Sequence, residues 1–402
     1  MNIKKTATGT IVLFLAGLLL VSAASAATEE VQVIRYADNN YSVIESSVTR
    51  DLAELQLMTN VYSNGPVYFQ GPTFDPDDPW GDGGQNMILY YDHNGTYVRN
   101  MTDLVGGMND GDEIRVQASD GMSRYFGYDN VYTPDARQGD MILAWWDDQY
   151  GFVPDYTEGI RLFFYTPPST YGVDDSLNLT LRDMQASFDP WYSYNYSGTW
   201  PSAKGLSVKY VQYLKIYPPH RHDFNTTGDT DEWAFGLQSS SNPPDSPDVP
   251  STEFDSTAYS NIADDDGTYQ SDITTANGNY AMHRFNFSID TSTTKDGPLA
   301  DMEKLSITWN GKGYCGSPGG TDDGVTLYIY NFDTPGYELL QDSGNTYTEV
   351  TLTGEKTFDI SNYVNSGNVT VLVKQNNGQR GSTHSYIETD YVKLVVTHHH
   401  HN

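Results

Sequence analysis

A chain of 402 residues with 53 acidic and 22 basic side chains carries a formal charge of −31, which repels nucleic acid and anionic lipid and favours cations and hydrated states. Hydrophobic content of 38%, with 31 Tyr, is too rich for a disordered chain. The single cysteine, Cys315, excludes an intramolecular disulfide framework and any Cys-based zinc or iron–sulfur site.

The first segment, MNIKKTATGTIVLFLAGLLLVSAASAATEE, sets Lys4 and Lys5 before an apolar run from Ile11 to Val21 and a small-residue Ala24-Ser25-Ala26 site. That is the pattern of a secretory signal peptide over residues 1–26, and the run is shorter than the ~20 residues that cross a bilayer comfortably. We expect export, cleavage after Ala26, and no transmembrane span in the mature chain.

Helical spacing is confined to VTRDLAELQLMTNV (48–61) and MTDLVGGM (101–108). Elsewhere alternating runs are broken by Gly, Pro, Asn and Asp, the mark of a mainly β chain. In EIRVQASDGMSRYFGY, Ile114, Val116 and Ala118 alternate with polar residues, Asp120-Gly121 follows, and a second alternating run begins at Met122. Such patterning around Asp-Gly predicts a β-hairpin, because Gly takes positive φ without steric cost. In LAWWDDQYGF, alternation sets Trp145 and Trp146 on opposite faces, so one of them is expected in the core.

Between Gln238 and Thr252 the only aliphatic residue is Val249, and Pro243, Pro244, Pro247 and Pro250 interrupt the chain. That composition predicts a semi-rigid Pro/Ser-rich linker over 237–252. It divides a Trp- and Tyr-rich first domain, 28–236, from a Thr- and Asn-rich second domain, 253–397, with a His-rich tail or tag remnant at 398–402. Strands are expected at AMHRFNFSI, KLSITWNGKG, GVTLYIYNFD, YTEVTLTG, NVTVLVKQN and DYVKLVVT, which together suit a β-sandwich or jelly roll.

The order of segments in the first domain resembles the β-rich domain of sulfite-oxidase-type molybdopterin oxidoreductases. The matching residues are Val105-Gly106-Gly107, Gly111 to Gly121, Met141 to Trp145, Gly159 to Phe164 and Val208 to Tyr217, within residues 65–218. The resemblance implies an α+β, β-rich fold and, in that family, a molybdenum held by a cysteine thiolate. The first domain has no cysteine, and Arg99, Arg115, Arg124, Arg137 and Arg161 are scattered rather than clustered. We therefore expect a scaffold whose cofactor site is lost, since no other side chain imitates a soft thiolate. Whether that groove is open or filled by Tyr90, Met141 and Trp145 is left for the fold to settle. The second domain is similar to the jelly-roll modules of surface proteins of methanogenic archaea, through YSNIADDDGTY, GVTLYIYNFD and TDYVKLVV. These look like carbohydrate-binding or discoidin-type sandwiches.

Acidic runs are the first candidate sites: Asp75, Asp77, Asp78 and Asp82; Asp229, Asp231 and Glu232; Asp264, Asp265 and Asp266. Calcium takes about six to eight oxygens, which close-set Asp and loop carbonyls supply, although solvated acidic turns are the more common reason for such runs. Asp264, Asp265 and Asp266 are the preferred ligands for a structural calcium, with no other cofactor expected. The dense stretch FDPWYSYNYSGTW offers Trp191, Tyr192, Tyr194 and Trp200 as ligand-binding aromatics, the alternative being ordinary packing. His220 and His222 share one strand face and would begin a metal site with Asp223 or Glu232, though a third ligand is not evident. Eight Asn-x-Ser/Thr sequons, at Asn40, Asn94, Asn100, Asn178, Asn195, Asn225, Asn286 and Asn368, are glycan acceptors or polar turn residues.

We expect a non-catalytic exported protein, extracellular or at the cell surface, that binds, adheres or assembles with envelope proteins, glycans or itself. The alternatives are a secreted molybdopterin-type oxidoreductase and a carbohydrate-binding protein.

Overall fold

The computed structural model describes residues 27–58, 60–62, 67–72, 87–90, 92–136, 138–165, 178–179, 187–225, 231–291, 297–320 and 322–402. The expected signal peptide and the acidic run from Asp75 to Asp82 lie outside them, as do Arg137 and Asp229. The described chain is mainly β, with short helices at the sheet margins.

The first half folds around two main sheets. One runs Asn40–Asp51, Glu30–Ala37, Val211–Tyr217, Glu113–Ala118, Ser123–Gly127 in spatial order. Glu30–Ala37 pairs in parallel with Val211–Tyr217, and the other pairs are antiparallel. The predicted hairpin forms, with Gly121 at φ 93° and the Asp120 carboxylate accepting from the Met122 N–H at 3.0 Å. The second sheet centres on Asp140–Asp147, flanked by His93–Tyr97 and Arg161–Tyr165. Trp145 is buried and Trp146 is half-buried, as their alternation requires. Met141 and Trp145 belong to the core, and Tyr90 packs edge-on against Phe163 at 5.4 Å. Tyr90, Met141 and Trp145 are thus packed together with core residues.

The helix expected over 48–61 shrinks to Leu52–Leu57, since Val48 to Asp51 complete the preceding strand. Asp51 caps it, accepting from the Glu54 N–H at 2.9 Å while Glu54 accepts from the Asp51 N–H at 3.1 Å.

The second half is a sandwich of two sheets. One holds His220–Asp223, Ser385–His398, Met302–Cys315 and Val350–Lys356, with Gln270–Ile273 also on Ser385–His398. The other runs Thr252–Glu253, Glu232–Ser239, Tyr280–Ser288, Asn368–Gln375, Val325–Asn331, Gly336–Asp342. Trp309, Phe285, Phe287, Val371 and Leu394 fill the space between them.

Two expectations about boundaries change. His220–Asp223 and Glu232–Ser239 pair with strands of the sandwich rather than with the first half, so the crossing falls near Pro218 and Pro219 and not at 236. The segment expected to be an interdomain linker is instead a strap on the sandwich itself. It leaves Ser239 and returns as Thr252–Glu253 beside the strand it left. Arg284 holds it through the Pro247 carbonyl and the Ser251 hydroxyl, and the Tyr330 hydroxyl reaches the Asp245 carbonyl at 3.3 Å. Val249 packs on Leu237, Met282 and Leu372, which face away from the main core. A strand buried on both faces, such as NVTVLVKQ, needs that cover.

Candidate functional site

The chemistry of the sandwich concentrates at an irregularity in its longest strand pair. Met302–Cys315 and Ser385–His398 run antiparallel, with Asn310 opposite Tyr391 but Gly311 opposite Thr389. Asp390 is the extra residue, a β-bulge that turns its carboxylate inward; such bulges re-aim side chains and recur beside functional sites. Asp390 is fully buried. Two exposed carboxylates reach it, Asp265 from the loop after the Ser256–Asn261 helix and Glu349 from the residue preceding Val350–Lys356. One oxygen from each of the three lies within 4.8 Å of the others.

Asn310 closes the inner side. Its amide nitrogen donates to Asp265 Oδ1 at 2.6 Å, while its amide oxygen is buried with no partner. The Gly267 N–H donates to both Asp390 oxygens, at 3.2 and 3.0 Å. Tyr269 donates its hydroxyl to Glu349, and Lys312 lies over the Tyr269 ring with its ammonium on Glu388 rather than on the three carboxylates. Burial pushes the Asp390 carboxyl up to about 6, against the Gly267 amide, and the nearby Asp265 and Glu349 add to the rise. Three converging carboxylates make a hard-oxygen set of the kind calcium takes. Turning the Asn310 amide over would present its oxygen to a cation in place of the nitrogen it gives to Asp265.

Of the three aspartates expected to bind calcium, the structure brings only Asp265 to this place. Asp264 accepts from Asn225 Nδ2 at 2.5 Å, and Asp266 accepts from the Thr268 N–H of its own turn at 2.9 Å. Glu349, Asp390 and Asn310 were missed. A lone Glu in a loop carries no sequence signal, but Asp390 does. Inward residues fall on odd positions at Ile387 and Thr389, then on even ones at Val392, Leu394 and Val396.

The histidine pair forms a different arrangement. His220 Nδ1 and His222 Nε2 are 3.0 Å apart, His222 Nδ1 is 3.2 Å from Glu232, and His220 Nε2 is 3.1 Å from the Asn39 carbonyl. The Asn39 carbonyl only accepts, so His220 Nε2 carries the hydrogen at that end. Asp223 is engaged elsewhere, by Arg221 and by the Tyr391 hydroxyl at 2.7 Å. Arg221 also clasps Asp38 at 2.9 and 3.1 Å, tying the first half to the sandwich.

The expected ligand-binding aromatics are placed as follows. Tyr192 is buried, with its hydroxyl 2.6 Å from His399 Nδ1. Trp191 is half-buried, 4.9 Å from the His401 ring. Tyr194 lies under the Arg124 guanidinium at 4.3 Å, and Trp200 sits in a two-residue pairing with Asn195–Tyr196. These four side chains do not form one open platform.

Among the sequons, Asn40, Asn195 and Asn225 are exposed. Asn94 stands within a sheet with its amide oxygen buried, and Asn100 is half-buried in the Val98–Thr102 helix. Asn178 is on the short Asn178–Leu179 strand. Asn286, on a central strand, accepts from the Thr370 hydroxyl at 3.2 Å, and Asn368 opens its strand beside a turn. A separate cleft of about 920 Å³ opens on the sandwich, lined among others by Gln238, Thr252, Glu253, Asp255 and Asp272. Among the described residues no helix is long and apolar enough to cross a membrane.

Residues 229–398 match a protein family described as an uncharacterized protein, C-terminal domain. An uncharacterized protein of Archaeoglobus fulgidus is 31% identical over 121 residues, 29% of this chain and 18% of that protein. The chain therefore matches less than a fifth of that relative's length. Among solved structures, the CBM22-1 xylan-binding domain of Paenibacillus barcinonensis Xyn10C aligns with 44% of this chain and 93% of its own, at 8% identity and a TM-score of 0.21. The CBM22-1-CBM22-2 tandem domain of the same protein aligns with 84% of this chain and 93% of its own, at 9% identity and a TM-score of 0.20. Scores this low carry no argument about fold or ligand.

Proposed function

We propose that the chain is a non-catalytic, exported protein of the cell surface or extracellular space, with a binding, adhesion or envelope-assembly role and a sandwich stabilised by calcium. The observation that carries this is the bulge at Asp390, where Asp265 and Glu349 converge on a buried carboxylate beside the Asn310 amide. Calcium sites of extracellular modules are filled at roughly 0.1–1 mM, a concentration met outside cells and not inside them. The leader-like segment and the acidic envelope support the same location. Envelope proteins, glycans or further copies of the chain are the proposed partners, and exposed Asn40, Asn195 and Asn225 the first sequons to examine for glycans.

Within this proposal, the first domain is a sulfite-oxidase-type scaffold without its metal, a reading supported by the ordered segments of residues 65–218. Fractionation of the native host, with protease shaving of intact cells, tests the location; a chain found wholly in the cytosol contradicts it. Stoichiometric molybdenum or tungsten in the purified protein would reverse the non-catalytic reading. A glycan ligand is favoured by the polar lining of the 920 Å³ cleft, and a polysaccharide array tests it with Asp272→Ala as control.

A further inference from the structure

The last four residues leave the Ser385–His398 strand and cross to the first domain, where they are bound one after another. The His399 ring lies between the Tyr192 hydroxyl, at 2.6 Å, and Glu303 of the sandwich, at 2.9 Å. His400 gives its backbone N–H to one oxygen of Glu113 at 2.9 Å, sets Nδ1 on the other at 2.5 Å, and stacks on Tyr125 at 4.3 Å. His401 stands 3.3 Å from Asp301 and against Trp191. Asn402 accepts from the Tyr125 N–H at 2.7 Å and donates to the Tyr125 and Tyr192 carbonyls at 2.8 and 2.9 Å.

Two features mark this as a built receptor rather than a resting tail. Glu113 is 3% exposed, and both of its oxygens take hydrogen bonds from His400. That burial includes the cover given by the docked segment, and with the Tyr192 hydroxyl also on Glu113 the two His400 donors meet its charge while docked. Ser123–Gly127 is the outer strand of its sheet, and the Asn402 amide pairs with its open edge as a neighbouring strand would.

We propose that the first domain carries a peptide-binding site for the chain's own His-rich C-terminal segment, and that this segment is a latch. Docked, it joins the two domains and covers Trp191 and Tyr192; released, it opens them as a contact surface. Only the use of that surface rests on the binding role proposed above. The docking is measured separately, so either idea can fail alone.

The test removes residues 399–402 from the otherwise full chain and adds the synthetic peptide THHHHN. The readout is Trp191 emission, corrected with Trp191→Phe, since an imidazole beside the indole alters it. Saturable quenching is expected in the shortened chain and none in the full chain. Glu113→Gln should weaken peptide binding roughly tenfold or more, the scale of one charged hydrogen bond. No saturable change, or equal binding by the full chain, would overturn the proposal. If the shortened chain does not fold, full-length Glu113→Gln is compared with the parent on immobilised nickel. Stronger native retention of the variant, with equal retention once denatured, is expected; equal native retention overturns the latch.

Discussion

Asp390 is a carboxylate whose folded-state proton affinity is raised, to about 6, by burial and by its acidic neighbours. Between its unfolded value near 3.8 and that figure, the folded state holds the extra proton. Without a cation, stability should therefore rise as pH falls from 7 toward 5, and the full cost is present above 6. Thermal unfolding in chelator checks the sign: the melting temperature should climb on acidification, and Asp390→Asn should remove that part of the climb. The same variant should melt several degrees higher than the parent at pH 7 in chelator, because it removes a buried charge. Arg161 is the reverse case, a cation 1% exposed that holds Glu158, donates to Ser207 at 2.8 Å and reaches the Tyr90 hydroxyl at 3.0 Å. Arg161→Met leaves Glu158 to Lys209 and removes the donors to Ser207 and Tyr90, and should cost about 1–3 kcal/mol in denaturant unfolding.

At the scale of elements, the bulge depends on Gly311 as much as on Asp390. A Cβ on Gly311 would lie 2.2 Å from the Glu388 carbonyl oxygen and 2.5 Å from the Trp309 ring. Gly311→Ala should cost about 2 kcal/mol or more and weaken calcium binding, read by chemical unfolding and by titration. The hairpin at Asp120-Gly121 and the six strands expected in the sandwich were legible because one period runs through each. The Gly336–Asp342 strand was not, since its residues are half-buried or exposed and carry no inward stripe. The strap was misread for a physical reason: Pro and Ser mark a segment without regular hydrogen bonding, and that describes a cover on a sheet as well as a linker. Likewise only Asp265 of the acidic run was legible as a ligand, because its partners lie 84 and 125 residues further along, Glu349 in a loop and Asp390 in a strand.

The whole molecule is held across its seam by polar and charged side chains: Arg221 between Asp38 and Asp223, the His220–His222–Glu232 chain, and the tail from His399 to His401. His399 holds the Glu303 carboxyl below its usual range, so that contact contributes above the ordinary glutamate value and is lost as pH falls through the lowered one. Removing residues 399–402 should split a single calorimetric transition into two. The central claim is calcium at the Asp390 bulge, and titration calorimetry of the full chain tests it most directly. One calcium per chain is expected, with the melting temperature raised by about 5–10 °C at a hundredfold excess over Kd and neither effect in Asp390→Asn. No heat of binding, or an identical rise in the variant, would contradict it.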